Sequence, residues 1–212
     1  MKKLALITVL GGISSMSFGV TLWDQLLFDG QNGLSNGVFL GLDRKVANDF
    51  QITDPAWDIK DAHILYLWNG SGKGKATGVN VRFYKPGFGA PIATAGGVTW
   101  TEVDTGADAF GRDIIRFDIN FNTVTLTTGT YWVDIQPVGP ENGFQLTAAM
   151  KLSPVYVNYS DFTGGAWVPG NQVFGVDYDV AYSLTGDVVP EPATMIALGA
   201  GVAALVARRR RK

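Results

Sequence analysis

From residue 20 to residue 187 apolar and polar residues alternate one by one in run after run. No stretch of twelve or more residues there sustains a convincing 3.6-residue apolar period. Strands with one buried face satisfy that pattern and helices do not, so it restricts the chain to an all-β fold. Val79, Val81 and Phe83 alternate with Asn80, Arg82 and Tyr84, and Lys85-Pro86-Gly87 then ends the run in a turn. Similar runs, carrying β-branched or aromatic residues and bounded by Gly, Pro, Asn or Asp, occupy 38–42, 46–53, 64–68, 98–103, 114–121, 131–135 and 178–184. With no boundary inside them, these strands predict one antiparallel two-sheet β-sandwich over residues 20–187, jelly-roll-like in preference to immunoglobulin-like. Composition permits it, since 46% hydrophobic and 12% aromatic residues supply a core and 27 glycines and nine prolines supply turns.

The two ends read differently. Met1-Lys2-Lys3, an apolar run over 4–13 and the small residues Ser14, Ser15 and Ser17 have the three-part layout of a secretory signal peptide over residues 1–19, cleaved after Ser17 or after Gly19. At the other end Val189-Pro190-Glu191-Pro192 precedes the uncharged, mostly apolar stretch 193–207, and the chain closes with Arg208-Arg209-Arg210-Arg211-Lys212. Prolines cannot continue a preceding strand, and Pro192 suits the first position of a helix, where its missing N–H is no loss. Fifteen residues at ~1.5 Å each span about 22 Å, short of the ~30 Å hydrocarbon core, so the expected transmembrane helix inserts marginally and suits temporary anchoring in the inner membrane. The positive-inside rule keeps the arginine cluster in the cytoplasm.

Pro190-Glu191-Pro192, a short hydrophobic helix and a terminal arginine cluster together resemble the PEP-CTERM sorting signal, over roughly residues 188–212. The resemblance implies processing near the motif by an exosortase, a membrane-embedded cysteine protease of Gram-negative, biofilm-forming bacteria that make exopolysaccharide. It implies an exported protein delivered to the cell surface or extracellular matrix. Three segments of the body, Val46-Ala47-Asn48-Asp49-Phe50, Gly129-Thr130-Tyr131-Trp132 and Asp179-Val180-Ala181-Tyr182-Ser183-Leu184-Thr185-Gly186, also resemble segments of exported PEP-CTERM proteins with a β-sandwich body. Many such relatives have a paired Asp-Asp-Phe where this chain has Asn48-Asp49-Phe50.

The formal net charge of −2 hides an asymmetry. Setting aside the seven terminal basic residues and Glu191 leaves ten basic against 18 acidic residues, a net charge near −8. Such a body repels phosphate backbones and argues against nucleic acid as a partner. His63 is the single histidine and there is no cysteine, so the chain cannot assemble a Cys-His pair or a multi-histidine zinc site, nor a Ser-His-Asp triad that does without His63. His63, two residues after Asp61 and at the start of the run 64–68, reads as a satisfied strand-end histidine. Two carboxylates suffice for glycoside hydrolysis, but no pair stands in a recognisable setting, and the chain reads as a non-catalytic protein with no catalytic residues.

The runner-up reading is an extracellular polysaccharide-binding module, stabilised by calcium, which takes carboxylate and carbonyl oxygens. Asp49, Asp177 and Asp179 are its candidate ligands, with Asp177 and Asp179 expected on one side of a strand; the plainer reading is a solvated strand face. For stacking against a sugar ring, Trp57 after Asp54-Pro55-Ala56 and Trp167 in the loop Thr163-Gly164-Gly165-Ala166-Trp167 are the candidates. Trp68, Trp100 and Trp132 lie within expected strands and read mainly as packing residues.

Overall fold

The computed structural model describes residues 19–70, 72–150 and 154–190. Residues 1–18 of the expected signal peptide, and Glu191, Pro192, the apolar stretch and the arginine cluster, lie outside the described residues. Within them the fold is all-β apart from one short helix, α1 (Gly170–Phe174).

Two strands organise it, β4 (Leu42–Trp68) and β8 (Arg112–Val138), each 27 residues long. They pair antiparallel from Ala47↔Asp134 to Tyr66↔Ile115. On the far side of β8 lie β5 (Gly78–Tyr84) and β7 (Thr99–Ala109), with β6 (Ala93–Thr94) beyond β5. On the far side of β4, β10 (Tyr156–Tyr159), β12 (Tyr182–Val189) and β9 (Gly143–Ala148) pair in succession along its length. The remaining strands are β1 (Val20–Asp24) on β12, β2 (Phe28–Ser35) on β9, β3 (Gly37–Phe39) on the start of β4, and β11 (Val168–Pro169) on β10.

These pairings join all twelve strands into one mixed sheet, with β3 meeting β8 in parallel at Val38↔Val138. The clean division into two sheets expected from the alternation is not present. Its cause is the continuity of β4 and β8. The runs 46–53 and 64–68 are parts of one strand, as are 114–121 and 131–135. Asp54-Pro55, which reads as a strand end, sits at a bulge: pairing skips from Ile52 to Ala56 and resumes, because a residue without an N–H is tolerated where the ladder is already interrupted. Thr128 Oγ1 donates to the Asp54 carbonyl across the gap at 2.6 Å. A second shift, between Ile59 and Asp61, adds further twist.

The twisted sheet closes on one principal core, since residues from both halves of each long strand share a single buried cluster. Phe50 and Ile52 meet Tyr66 and Trp68 from the other half of β4, together with Phe117, Val133, Phe83 and Leu184. Ring pairs knit it, with Phe50–Tyr131 centroids at 5.8 Å and Tyr66–Phe117 at 5.4 Å. Two buried hydroxyls in it are satisfied: Tyr66 donates to the Asn36 carbonyl, and Tyr182 to the Asp49 carbonyl at 2.6 Å. Burial pushes both phenol pKa values well up.

Two further expectations change. Residues 38–42 form a hairpin rather than a strand, with Phe39↔Leu42 closed by Leu40 and Gly41 at φ of 47° and 81°. That is the geometry of a type I′ turn, whose twist matches the flanking strands. The strand expected over 178–184 starts only at Tyr182.

Two substitutions test this account. A Cβ on Gly186, at the β12 register shift, would stand 2.0 Å from the Asp58 carbonyl oxygen, a backbone atom that cannot step aside. Gly186→Ala is expected to cost about 3 kcal/mol or more in urea unfolding, the upper range of overpacking effects. Leu40 is 85% exposed in a left-handed conformation that asparagine tolerates better. Leu40→Asn is expected to raise stability by about 0.5–1 kcal/mol.

Candidate functional site

Alternation places one face of β10, β4, β8, β5 and β6 away from the core, and cross-strand register fixes what lies side by side there. One row runs Tyr156, Ala47, Asp134, Arg82, Thr94, and the next runs Asp49, Trp132, Tyr84. Outward faces of antiparallel sheets are ordinarily polar, yet this one gathers five aromatic rings. Phe88, from the loop after β5, has its ring centroid 4.8 Å from Trp167, 4.5 Å from Tyr156, 5.4 Å from Trp132 and 5.7 Å from Tyr84. Tyr84 and Trp167 also meet, at 5.2 Å.

Beside the rings lies a charged network. Asp134 is fully buried, with Arg82 Nη1 3.4 Å from its Oδ2. Arg82 donates to the Gln136 side-chain carbonyl, and Gln136 Nε2 donates to Asp43 Oδ1 at 2.7 Å. Lys45 pairs with Asp43. Burial pushes the Asp134 carboxyl up to about 7, against the opposing pull of Arg82 and Lys45. At the ring end of the face, Asp49 Oδ1 and Trp132 Nε1 are buried without a hydrogen bond.

The sequence candidates fare unevenly. Trp167 stands in the ring cluster, half-buried, with its plane 27° from that of Phe88. Trp57 is 4% exposed, stacked on Phe50 at 6.2 Å, and donates from Nε1 to Asp54 Oδ2 at 2.7 Å; it is a core residue and no sugar platform. The three aspartates do not gather, because 177 and 179 precede β12 instead of lying on one side of it. Asp177 is exposed and accepts from Asn171 Nδ2 of α1 at 2.8 Å, Asp179 is fully buried, and Asp49 is half-buried beside Trp132. Among the described residues no group of three or more His, Asp or Glu side chains is placed to hold a metal ion.

Asn48, at the position of the missing second carboxylate, is buried and donates to the Val180 carbonyl at 3.4 Å. His63 lies well inside β4, where Nδ1 stands 2.8 Å from Asp118 Oδ1. Arg116 holds Asp118 through two bonds of 2.6 and 2.8 Å, which, with His63, lowers the Asp118 pKa against the effect of burial. Tyr84, Phe88 and Tyr156 were not among the sequence candidates and Trp132 was read as a packing residue; of the first three Tyr84 alone carried a signal, as the outward residue at the end of its alternating run.

The sorting segment meets the fold at β12. Val188 and Val189 pair with Trp57 and Ala56, and the exposed Pro190 follows directly. The PEP-CTERM protein-sorting motif matches residues 188–211. The chain carries that motif. The motif implies export, sorting to the cell surface and processing by an exosortase. No curated protein and no solved structure matches the chain.

The buried carboxyl gives a pH test. The Asp134 folded pKa lies above the ordinary 3.8, so its neutral form contributes stability that is complete below pH 3.8 and is lost as pH rises through about 7. The urea midpoint is expected to fall between pH 5 and pH 8. Asp134→Asn, which cannot ionise, flattens that fall, with a difference of a few kcal/mol at pH 8 at about 1.4 kcal/mol per pK unit. Identical pH profiles for the two proteins would contradict the assignment.

Proposed function

We propose that this chain is a non-catalytic cell-surface or exopolysaccharide-matrix protein, released from a temporary membrane anchor after export. Residues 1–19 direct export as a cleaved signal peptide. Residues 193–207 hold the protein in the inner membrane with Arg208, Arg209, Arg210, Arg211 and Lys212 in the cytoplasm, and an exosortase cuts near Pro190-Glu191-Pro192 to release the body. The observation that carries this reading is the motif match over 188–211, which begins inside the last strand of the folded body. The acidic, cysteine-free composition of the body suits a hydrated matrix and needs no disulfide-forming machinery.

A non-catalytic role is supported by the chemistry of the described residues. The lone histidine is engaged with Asp118, and the buried carboxyl of Asp134 and its acidic neighbour Asp43 are tied up in one network with Arg82, Lys45 and Gln136. A second reading, a polysaccharide-binding module, is favoured by one specific observation, the five-ring cluster on an outward sheet face.

The test is a pair of epitope tags, one in the exposed Gly72–Gly74 loop and one after Lys212, followed in the native host. Protein recovered from the surface and matrix is expected to carry the loop tag alone. Glu191→Ala is expected to leave both tags together in the inner-membrane fraction. Shed protein bearing the C-terminal tag would overturn processing, and release of reducing sugar from polysaccharide by the purified protein would overturn the non-catalytic role.

A further inference from the structure

Phe88 occupies an unusual place for a loop residue. Its side chain is the centre of the ring cluster, touching all four of the others and bridging Trp167 and Tyr156 at plane angles of 27° and 35°. To reach it, the chain after β5 turns through Lys85-Pro86-Gly87 and puts Phe88 itself at φ 46°, a left-handed conformation that side chains larger than asparagine rarely adopt. The Phe88 N–H donates to the Lys85 carbonyl at 3.3 Å, closing the turn.

What lies beside that ring is chemically unlike a phenyl's proper surroundings. Asp49 and Trp132 are cross-strand neighbours, with Tyr84 next in the same row, and both Asp49 Oδ1 and Trp132 Nε1 are buried without a hydrogen bond. A phenyl ring offers no hydroxyl to Trp132, which it meets, or to Asp49 across the strand pair from Trp132, and leaving both polar atoms buried and unpaired is costly. A ring bearing hydroxyls has the missing complement: one hydroxyl donates to Asp49 Oδ1 and accepts from Trp132 Nε1, while its C–H faces stack on Trp167 and Tyr156. The cations on the strands of this face, Arg82 and Lys45, are already matched to Asp134 and Asp43, and the remaining one nearby, Lys85, is exposed in the loop that carries Phe88, so no unmatched buried cation calls for an acidic sugar.

We propose that the space filled by Phe88 is a binding slot for a neutral pyranose unit of a polysaccharide, and that Phe88 plugs it until the sugar takes its place. Trp167 and Tyr156 are the stacking walls, Asp49 and Trp132 the hydroxyl contacts, and the 85–91 loop carries the plug. The proposal rests on the polysaccharide-binding reading above and names its site and ligand class. Apparent affinity is then reduced by the fraction of molecules in which the slot is plugged, and removing the plug recovers it.

Full-length protein in detergent micelles, run through gels containing a soluble β-1,3-glucan, a galactomannan or a xylan, provides the test, with alginate as the acidic comparison. Titration followed by tryptophan fluorescence supplies dissociation constants, and circular dichroism checks that each variant is folded. Wild type is expected to be retarded by at least one neutral polymer. Phe88→Ala is expected to bind it about tenfold more tightly, and Trp167→Ala at least tenfold more weakly.

The proposal is overturned by any of four results. These are no retardation of wild type or Phe88→Ala by any neutral polymer, retardation by alginate alone, affinity indifferent to both substitutions, and weakening by Phe88→Ala. Surface delivery and tag removal are read separately, so their failure would sink the sorting account while leaving the slot open to test, and the reverse also holds.

Discussion

Everything in the fold is referred to the antiparallel ladder between β4 and β8, the two strands of 27 residues. Each has its second edge occupied along much of its length, β8 by β5 and β7 and β4 by β10, β12 and β9. Backbone donors and acceptors in the middle of the molecule are therefore satisfied on both sides, and what remains open is pushed to short outer strands such as β1, β6 and β11. The ladder is also strongly non-local, since Ala47 meets Asp134 and Trp57 meets Leu126. Such pairing closes long loops before any contact rewards it, so folding is slow by the standards of helical proteins and depends on the aromatic core around Phe50 and Tyr66 to hold the halves together.

The all-β class and most of the strands were legible in the amino-acid sequence because period-two alternation is a direct consequence of a half-buried pleat. Val79, Val81 and Phe83 do face the core, with Asn80, Arg82 and Tyr84 on the other side. The count of sheets was not legible. Whether Asp54-Pro55 ends a strand or bulges within one depends on what lies opposite, and Thr128, which donates to the Asp54 carbonyl across the gap, is 74 residues beyond Asp54 in sequence. Leu40-Gly41 escaped for a related reason: leucine is a poor marker for a left-handed turn residue, and its side chain reads as one more apolar position in a strand.

The site was partly legible as well. Trp167 was marked by its glycine-rich loop, and Asp49 by its place before Phe50, and the fold brings both to the same outward sheet face. Trp57 carried the same kind of loop-edge signal and is instead core, because the bulge at Asp54-Pro55 returns the chain to the ladder and turns that ring inward against Phe50. The other rings come from three stretches of the chain, and only the register of β5, β8 and β10 sets Tyr84, Trp132 and Tyr156 near one another. Long-range register is a property of the assembled sheet, so no local pattern announces it.

The overlap of the sorting motif with β12 has a mechanical meaning. Val188 and Val189 are at once the end of a paired strand and the beginning of the matched motif, so the motif starts within the folded body. Under the proposed anchoring, the Ala56 and Trp57 end of the molecule is the end from which the chain leads on to the anchor. The overlap also sets a rule for the scissors. A protease that grips its substrate as an extended strand can take hold beyond Val189 with the fold intact, whereas a grip nearer the body has to unzip β12 from β4 first.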